Sequence, residues 1–150
     1  MTFQIRQGDI LLKRVANNIE DFEKNPPRGV RGFSPMGHTK ADVQIKDTDG
    51  FAIVGFGEGS GHRHVVEGAV QTLVQARATE ETVQSYLMGE LTDEFFMYVS
   101  VIEPGRLVHQ DATETVFEED HGVLEVPPGV YEVTRQREYD ESTHRRYVVD

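Results

Sequence analysis

Two histidines two residues apart, His62 and His64, sit in the stretch GEGSGHRHVVEG that runs from Gly57 to Gly68. On a β-strand, residues i and i+2 project to the same face. Two imidazoles placed that way can converge on one ion at Zn–N distances of about 2 Å. Arg63, between them, would face the other way. The glycines before His62 allow close approach of backbone or ligand. Glu67 and Glu58 flank the pair and are the candidate acid/base groups if a bound ion does chemistry. Two further histidines, His109 and His121, fall at strand ends in the second half and are the other candidate ligands. The expected cofactor is a divalent transition metal held by imidazole and carboxylate: Zn, Fe, Mn or Ni. A closed set of four ligands would be structural, and an open position would permit catalysis.

The ordinary alternative is that these are polar residues at a loop edge. Six histidines in 150 residues make an HxH pair common by chance. His38, in a Pro/Gly-rich segment, and His144, near the charged tail, read as surface. The chain has no cysteine, so thiolate ligands and disulfides are excluded. Neither a GxSxG elbow, a P-loop nor an HExxH helix is present. The glycines of GFGEGSG do not make a dinucleotide loop, because HxH stands where the helix would have to start. In RQREY, Arg135 to Tyr139, residues 135, 137 and 139 would share a strand face. Arg137 and Tyr139 could grip an anion there, but charges guarding an edge strand are the favoured reading.

The elements that must position these groups are mostly strands. FQIRQGDILLKRV reads as strand, bend, strand, and NNIEDFEKN as one short helix. Residues 25–41 read as an irregular Pro/Gly loop. VQIKD and FAIVGFG flank TDG, a hairpin signal, and HRHVV and AVQTLVQAR flank EG, which suggests another. TEETVQSYLMGEL fits either a helix capped by Thr79 or a strand. EFFMYVSVIEP is the strongest strand. RLVHQ, TETVFEED, the two arms around Pro-Pro-Gly, and HRRYVV follow. The expectation is one all-β domain spanning 1–150, a small barrel or sandwich with a short helix and the long loop.

The net charge of −11 opposes general binding to nucleic acid or anionic membrane. A nucleic-acid site would need a stripe built from Arg135, Arg137, Arg145 and Arg146. No apolar run approaches membrane-spanning length and the start is not a signal peptide, so a cytoplasmic protein is expected. The expected partners are a metal ion and an unidentified small molecule or protein; a homo-oligomer is compatible with the sequence.

Three blocks carry a resemblance: Gln7-Gly8-Asp9, then Gly61-His62 with His64, then HGVLEVPPGVYEVTRQREY from His121 to Tyr139. In these the chain resembles small uncharacterised proteins of bacteria and tailed phages. That implies a compact β-rich protein and no particular activity. Gly57, His62, His64 and Glu67 also resemble, in outline, the first motif of the cupin superfamily, with His109 or His121 standing for its last histidine. Here Pro-Pro-Gly follows His121 rather than preceding a histidine. The cupin resemblance implies a double-stranded barrel and a metal-dependent isomerase or oxygenase. The rival expectation is a non-enzymatic assembly or interaction protein with no functional metal.

Overall fold

The computed structural model describes residues 3–27, 29–30, 32–33, 42–47, 50–57, 61–90, 95–111, 122–135, 137–138 and 146–147. Along them run β1 (Gln4–Gln7), β2 (Ile10–Ala16), α1 (Ile19–Lys24), β3 (Gly32–Phe33), β4 (Asp42–Asp47), β5 (Phe51–Phe56), β6 (Arg63–Glu67), β7 (Val70–Gln75), α2 (Glu80–Leu87), β8 (Met97–Val101), β9 (Gly105–Gln110), β10 (Leu124–Val126), β11 (Gly129–Arg135), β12 (Arg137–Glu138) and β13 (Arg146–Tyr147). The chain is an all-β sandwich. One sheet has the order β1-β2-β11-β8-β7-β4-β3 and the other β10-β9-β6-β5, with β12 and β13 pairing separately. The described strands form no closed barrel. All pairs are antiparallel except the short β3–β4 pair, which places Gly32 and Phe33 on a strand inside the expected 25–41 loop.

The pairing follows one rule. β5 pairs with β6 while β4 pairs with β7. β6 pairs with β9 while β7 pairs with β8. β9 pairs with β10 while β8 pairs with β11. So β4 and β5, β6 and β7, β8 and β9, and β10 and β11 are successive strand pairs, one member in each sheet, whose pairings follow one meander order across both sheets. Strands that switch sheets make the corners of such packings. This corrects two sequence expectations. TDG and EG do not close hairpins, because β4 and β5, and β6 and β7, lie in different sheets.

The corners explain the error. Gly68 has φ +131°, a backbone that side chains rarely adopt, and its N–H donates to the Gly50 carbonyl at 2.9 Å. On the neighbouring strand β9, a Cβ on Gly105 would lie 2.6 Å from the carbonyl oxygen of Glu67. Glycine is needed here so that adjacent strands can touch while bending. Locally that requirement looks the same as a turn.

The inner faces bury Ile5, Leu12, Val54, Val66, Val99, Leu107, Tyr131 and Val133 in one cluster. The outer face of the larger sheet is covered as well. There Phe22 of α1 packs on Val43, Leu73, Tyr98 and Val130, with the Phe22 and Tyr98 rings 5.0 Å apart edge to face. β8 is therefore buried on both faces along its length, which is why its sequence is apolar at every position but Ser100 rather than alternating. α1 is the expected helix, capped by Asn18, whose side chain accepts from the Asp21 N–H at 2.8 Å. The ambiguous TEETVQSYLMGEL segment is helical. Thr79 Oγ1 accepts from the Thr82 N–H at 3.1 Å, and Glu80 and Glu81 fill the first turn.

Tyr86 of α2 donates its hydroxyl to the Val133 carbonyl and so pins the helix to β11. Burial pushes the Tyr86 hydroxyl up to about 12, and the Glu132 charge adds to it. Tyr98 is raised by burial first, then by the Glu132 charge and by Tyr86. Both groups keep their protons in the folded chain above the pH where unfolded tyrosine, at about 10, releases them. Their contribution is thus intact below about pH 10 and is lost as pH rises toward the folded values, at about 1.4 kcal/mol per pH unit per tyrosine. The urea midpoint is expected to fall steadily between about pH 10 and about pH 11. In Tyr86→Phe the slope should be shallower. A flat midpoint over that range would refute this linkage.

Candidate functional site

The histidines meet where β6 begins and β9 ends. β6 starts at Arg63, so His62 immediately precedes the strand and His64 is its second residue. The β6–β9 register sets His64 directly opposite His109. Their rings stack with centroids 4.6 Å apart and planes 11° from parallel. The His62 ring lies 5.5 Å from the His109 ring, edge-on at 76°. His64 and His109 are fully buried. They lie on the strand face that carries Val66 and Leu107 into the core. Arg63 turns to the opposite face, as its position in an i/i+2 pattern requires, and donates from Nε to Gln110 Oε1 at 2.8 Å. The Gly57 N–H donates to the His62 carbonyl at 2.9 Å and draws the two ends of the glycine-rich loop together.

From the other sheet comes the turn between β1 and β2. Gln7, at the end of β1, is 1% exposed. Its Oε1 lies 2.8 Å from His64 Nδ1. Its Nε2 donates to the carbonyls of Leu107, at 3.2 Å, and Gly122, at 2.8 Å. Gly8, with φ +59°, turns the chain, and Asp9 goes to a second buried group. Its Oδ2 takes an ion pair from Arg135 Nη1 at 2.7 Å. Arg135 Nη2 donates to the Phe56 carbonyl at 2.6 Å and to the Leu87 carbonyl at 2.8 Å. One guanidinium thus ties the end of β11 to the β1–β2 turn, the end of β5 and the C-terminus of α2. Its position at the helix end also suits the macrodipole. The expectation that Arg135 guards an exposed edge is corrected: its side chain is 12% exposed. Nor can it serve in a basic surface stripe.

Of the residues singled out by sequence, the structure brings together His62, His64 and His109. Glu67 is elsewhere. Three positions along β6 from His64, on the opposite face, it pairs with Arg106 at 3.0 Å, and both side chains are well exposed. Glu58, His121, His38, His144, Tyr139 and Arg145 lie outside the described residues. Gln7, Asp9 and Arg135 as polar groups of the interior were not foreseen. The one available signal was that Gln7 and Asp9 flank a glycine beside the apolar run Ile10-Leu11-Leu12.

Two buried imidazoles with a third beside them, and a hydrogen bond already made to one ring nitrogen, are donor chemistry of the kind that suits a borderline transition ion. The ring geometry sets a condition. Ring-plane lone pairs on stacked, near-parallel imidazoles run side by side rather than converge, so His64 and His109 share an ion only after one ring turns. Consistently, no three His, Cys, Asp or Glu side chains among the described residues are arranged to hold an ion as they stand.

A two-sheet all-β protein with a buried imidazole cluster at one end is the class that fold and site define. The chain belongs to the family described as "Domain of unknown function (DUF8820)", whose model matches residues 6–136 and so spans every group just described. No curated protein and no solved structure matches it. No helix among the described residues is long and apolar enough to cross a membrane.

Proposed function

We propose that this chain is a metal-binding β-sandwich protein in which His62, His64 and His109 hold a divalent transition ion: Zn, Fe, Mn or Ni. His121 is a further ligand in this reading; it immediately precedes Gly122, the residue whose carbonyl accepts from Gln7. The observation that carries the proposal is the clustering of three histidine rings, two of them fully buried, with Gln7 bonded to His64. A bound ion would act as a Lewis acid or would activate water. Glu67 is engaged by Arg106 on the opposite face of β6. The QGD, GHxH and RQREY blocks favour a bacterial or tailed-phage protein working in the cytoplasm. The cupin-like enzyme remains the catalytic form of this reading.

Elemental analysis of purified, untagged protein is expected to find about one transition ion per chain, removable by chelator and restored by the free ion. His62 is the informative substitution. It is only partly buried, so His62→Ala should lower zinc affinity tenfold or more while leaving the metal-free melting temperature nearly unchanged. His64→Ala is less decisive, because it strands Gln7 Oε1 in the interior and destabilises the fold with or without metal. Protein that takes up none of Zn, Fe, Mn or Ni would refute the proposal.

The second reading, a non-enzymatic assembly or interaction protein, is favoured by one observation. The near-parallel His64–His109 stack is complete without an ion and gives both rings a packing role. Under it, chelator leaves the melting temperature unchanged.

A further inference from the structure

We infer that Gln7 is the positioning residue of the histidine cluster: it holds His64 as the Nδ1–H tautomer, which assigns metal ligation to His64 Nε2. The ligation half of this statement rests on the metal-binding reading above; the tautomer half does not.

Hydrogen-bond capacity decides the assignment. The carbonyls of Leu107 and Gly122 can only accept. Both face the same nitrogen of Gln7, at 3.2 and 2.8 Å. An amide NH₂ has two protons, one for each carbonyl. Turning the amide over would set its oxygen against two carbonyl oxygens with no hydrogen between them, in a buried place where such a loss is costly. The orientation is therefore decided by groups other than the histidine. Gln7 Oε1 is left facing His64 Nδ1 at 2.8 Å. An amide oxygen has no proton to give, so Nδ1 carries the proton and Oε1 accepts it. In the neutral ring the lone pair then resides on Nε2. Imidazole side chains in water prefer the opposite tautomer, so the inference departs from the default. The physical role is the one that second-layer partners play at metal sites. A bond to the non-ligating nitrogen sets both the tautomer and the ring angle. Here the partner, at the end of β1, is anchored on β9 through Leu107 and on the chain just before β10 through Gly122.

The test is a long-range ¹⁵N–¹H correlation spectrum of metal-free protein labelled at histidine, taken at a pH where the ring is neutral. The expected result is a pyrrole-type shift for His64 Nδ1 and a pyridine-type shift for Nε2. The reverse pattern in the wild-type chain would overturn the inference outright. In Gln7→Ala, a shift of His64 toward the Nε2–H form supports it, and an unchanged Nδ1–H form overturns Gln7 as the holder. If Gln7→Ala does not fold, the wild-type spectrum still decides. Titration with zinc ion then reads the ligation half. Gln7→Ala should bind about 10- to 100-fold more weakly than wild type, and equal affinity overturns a positioning role. A wild-type chain that binds no zinc while showing the Nδ1–H form would sink the metal reading and leave the tautomer assignment standing.

Discussion

Arg135→Ala is expected to remove about 3–5 kcal/mol of stability, the range for breaking a buried ion pair from one side. Three acceptors lose their donor at once: the Asp9 carboxylate, 1% exposed, and the carbonyls of Phe56 and Leu87. The carboxylate is the costly one, because a charge deprived of its Arg135 partner stays behind in a place closed to water. A domain of this size has roughly 5–15 kcal/mol in all, so the variant should sit near the edge of folding. Arg135→Lys should fall between. It keeps a charge for Asp9 but has no planar fork to reach two carbonyls as well. Pairing Arg135→Met with Asp9→Asn should cost clearly less than the two single changes summed, since the stranded charge is gone. Urea denaturation followed by circular dichroism reads all four. A loss below about 1 kcal/mol for Arg135→Ala would show that this guanidinium does not clamp the elements it touches.

Gly105→Ala should cost about 3 kcal/mol, at the upper end for overpacking. The added Cβ would lie 2.6 Å from the Glu67 carbonyl oxygen. That atom is backbone on a neighbouring strand held in register on both sides, so it cannot swing away as a side-chain tip would. Relief requires β9 and β6 to separate there. Gly50→Ala is the control. It has φ +87° and nothing within 4 Å of the added atom, so only backbone strain of about 1–2 kcal/mol applies. Equal losses for the two variants would mean that close approach at the corner contributes nothing beyond backbone conformation.

These two residues mark the boundary of what local sequence shows. Gly105 and Gly68 are visible as breakers, yet the same residue type serves a hairpin and a corner, because both need backbone freedom and no side chain. Which of the two forms is settled by pairing partners far along the chain. Arg135 is visible as a charge in a polar, strand-like run. That it is buried depends on Asp9, which the fold brings from the opposite end of the chain. Nothing within a few residues of Arg135 announces that partner.

The sequence by itself determined the all-β character, most of the strand segments and the short helix within NNIEDFEKN, because side-chain period and local capping are properties of neighbours in the chain; it left the segment after Thr79 open between helix and strand. It also settled that no thiolate could take part. The tertiary structure alone decided that β4 and β5, and β6 and β7, lie in different sheets, that His109 stands opposite His64, that Gln7 reaches across to it, and that Glu67 turns away to Arg106. Strand register is set by burial summed over whole sheets, and a shift of one residue would reverse the face of every side chain. The site exists because that sum places two strand ends and one turn at a single point.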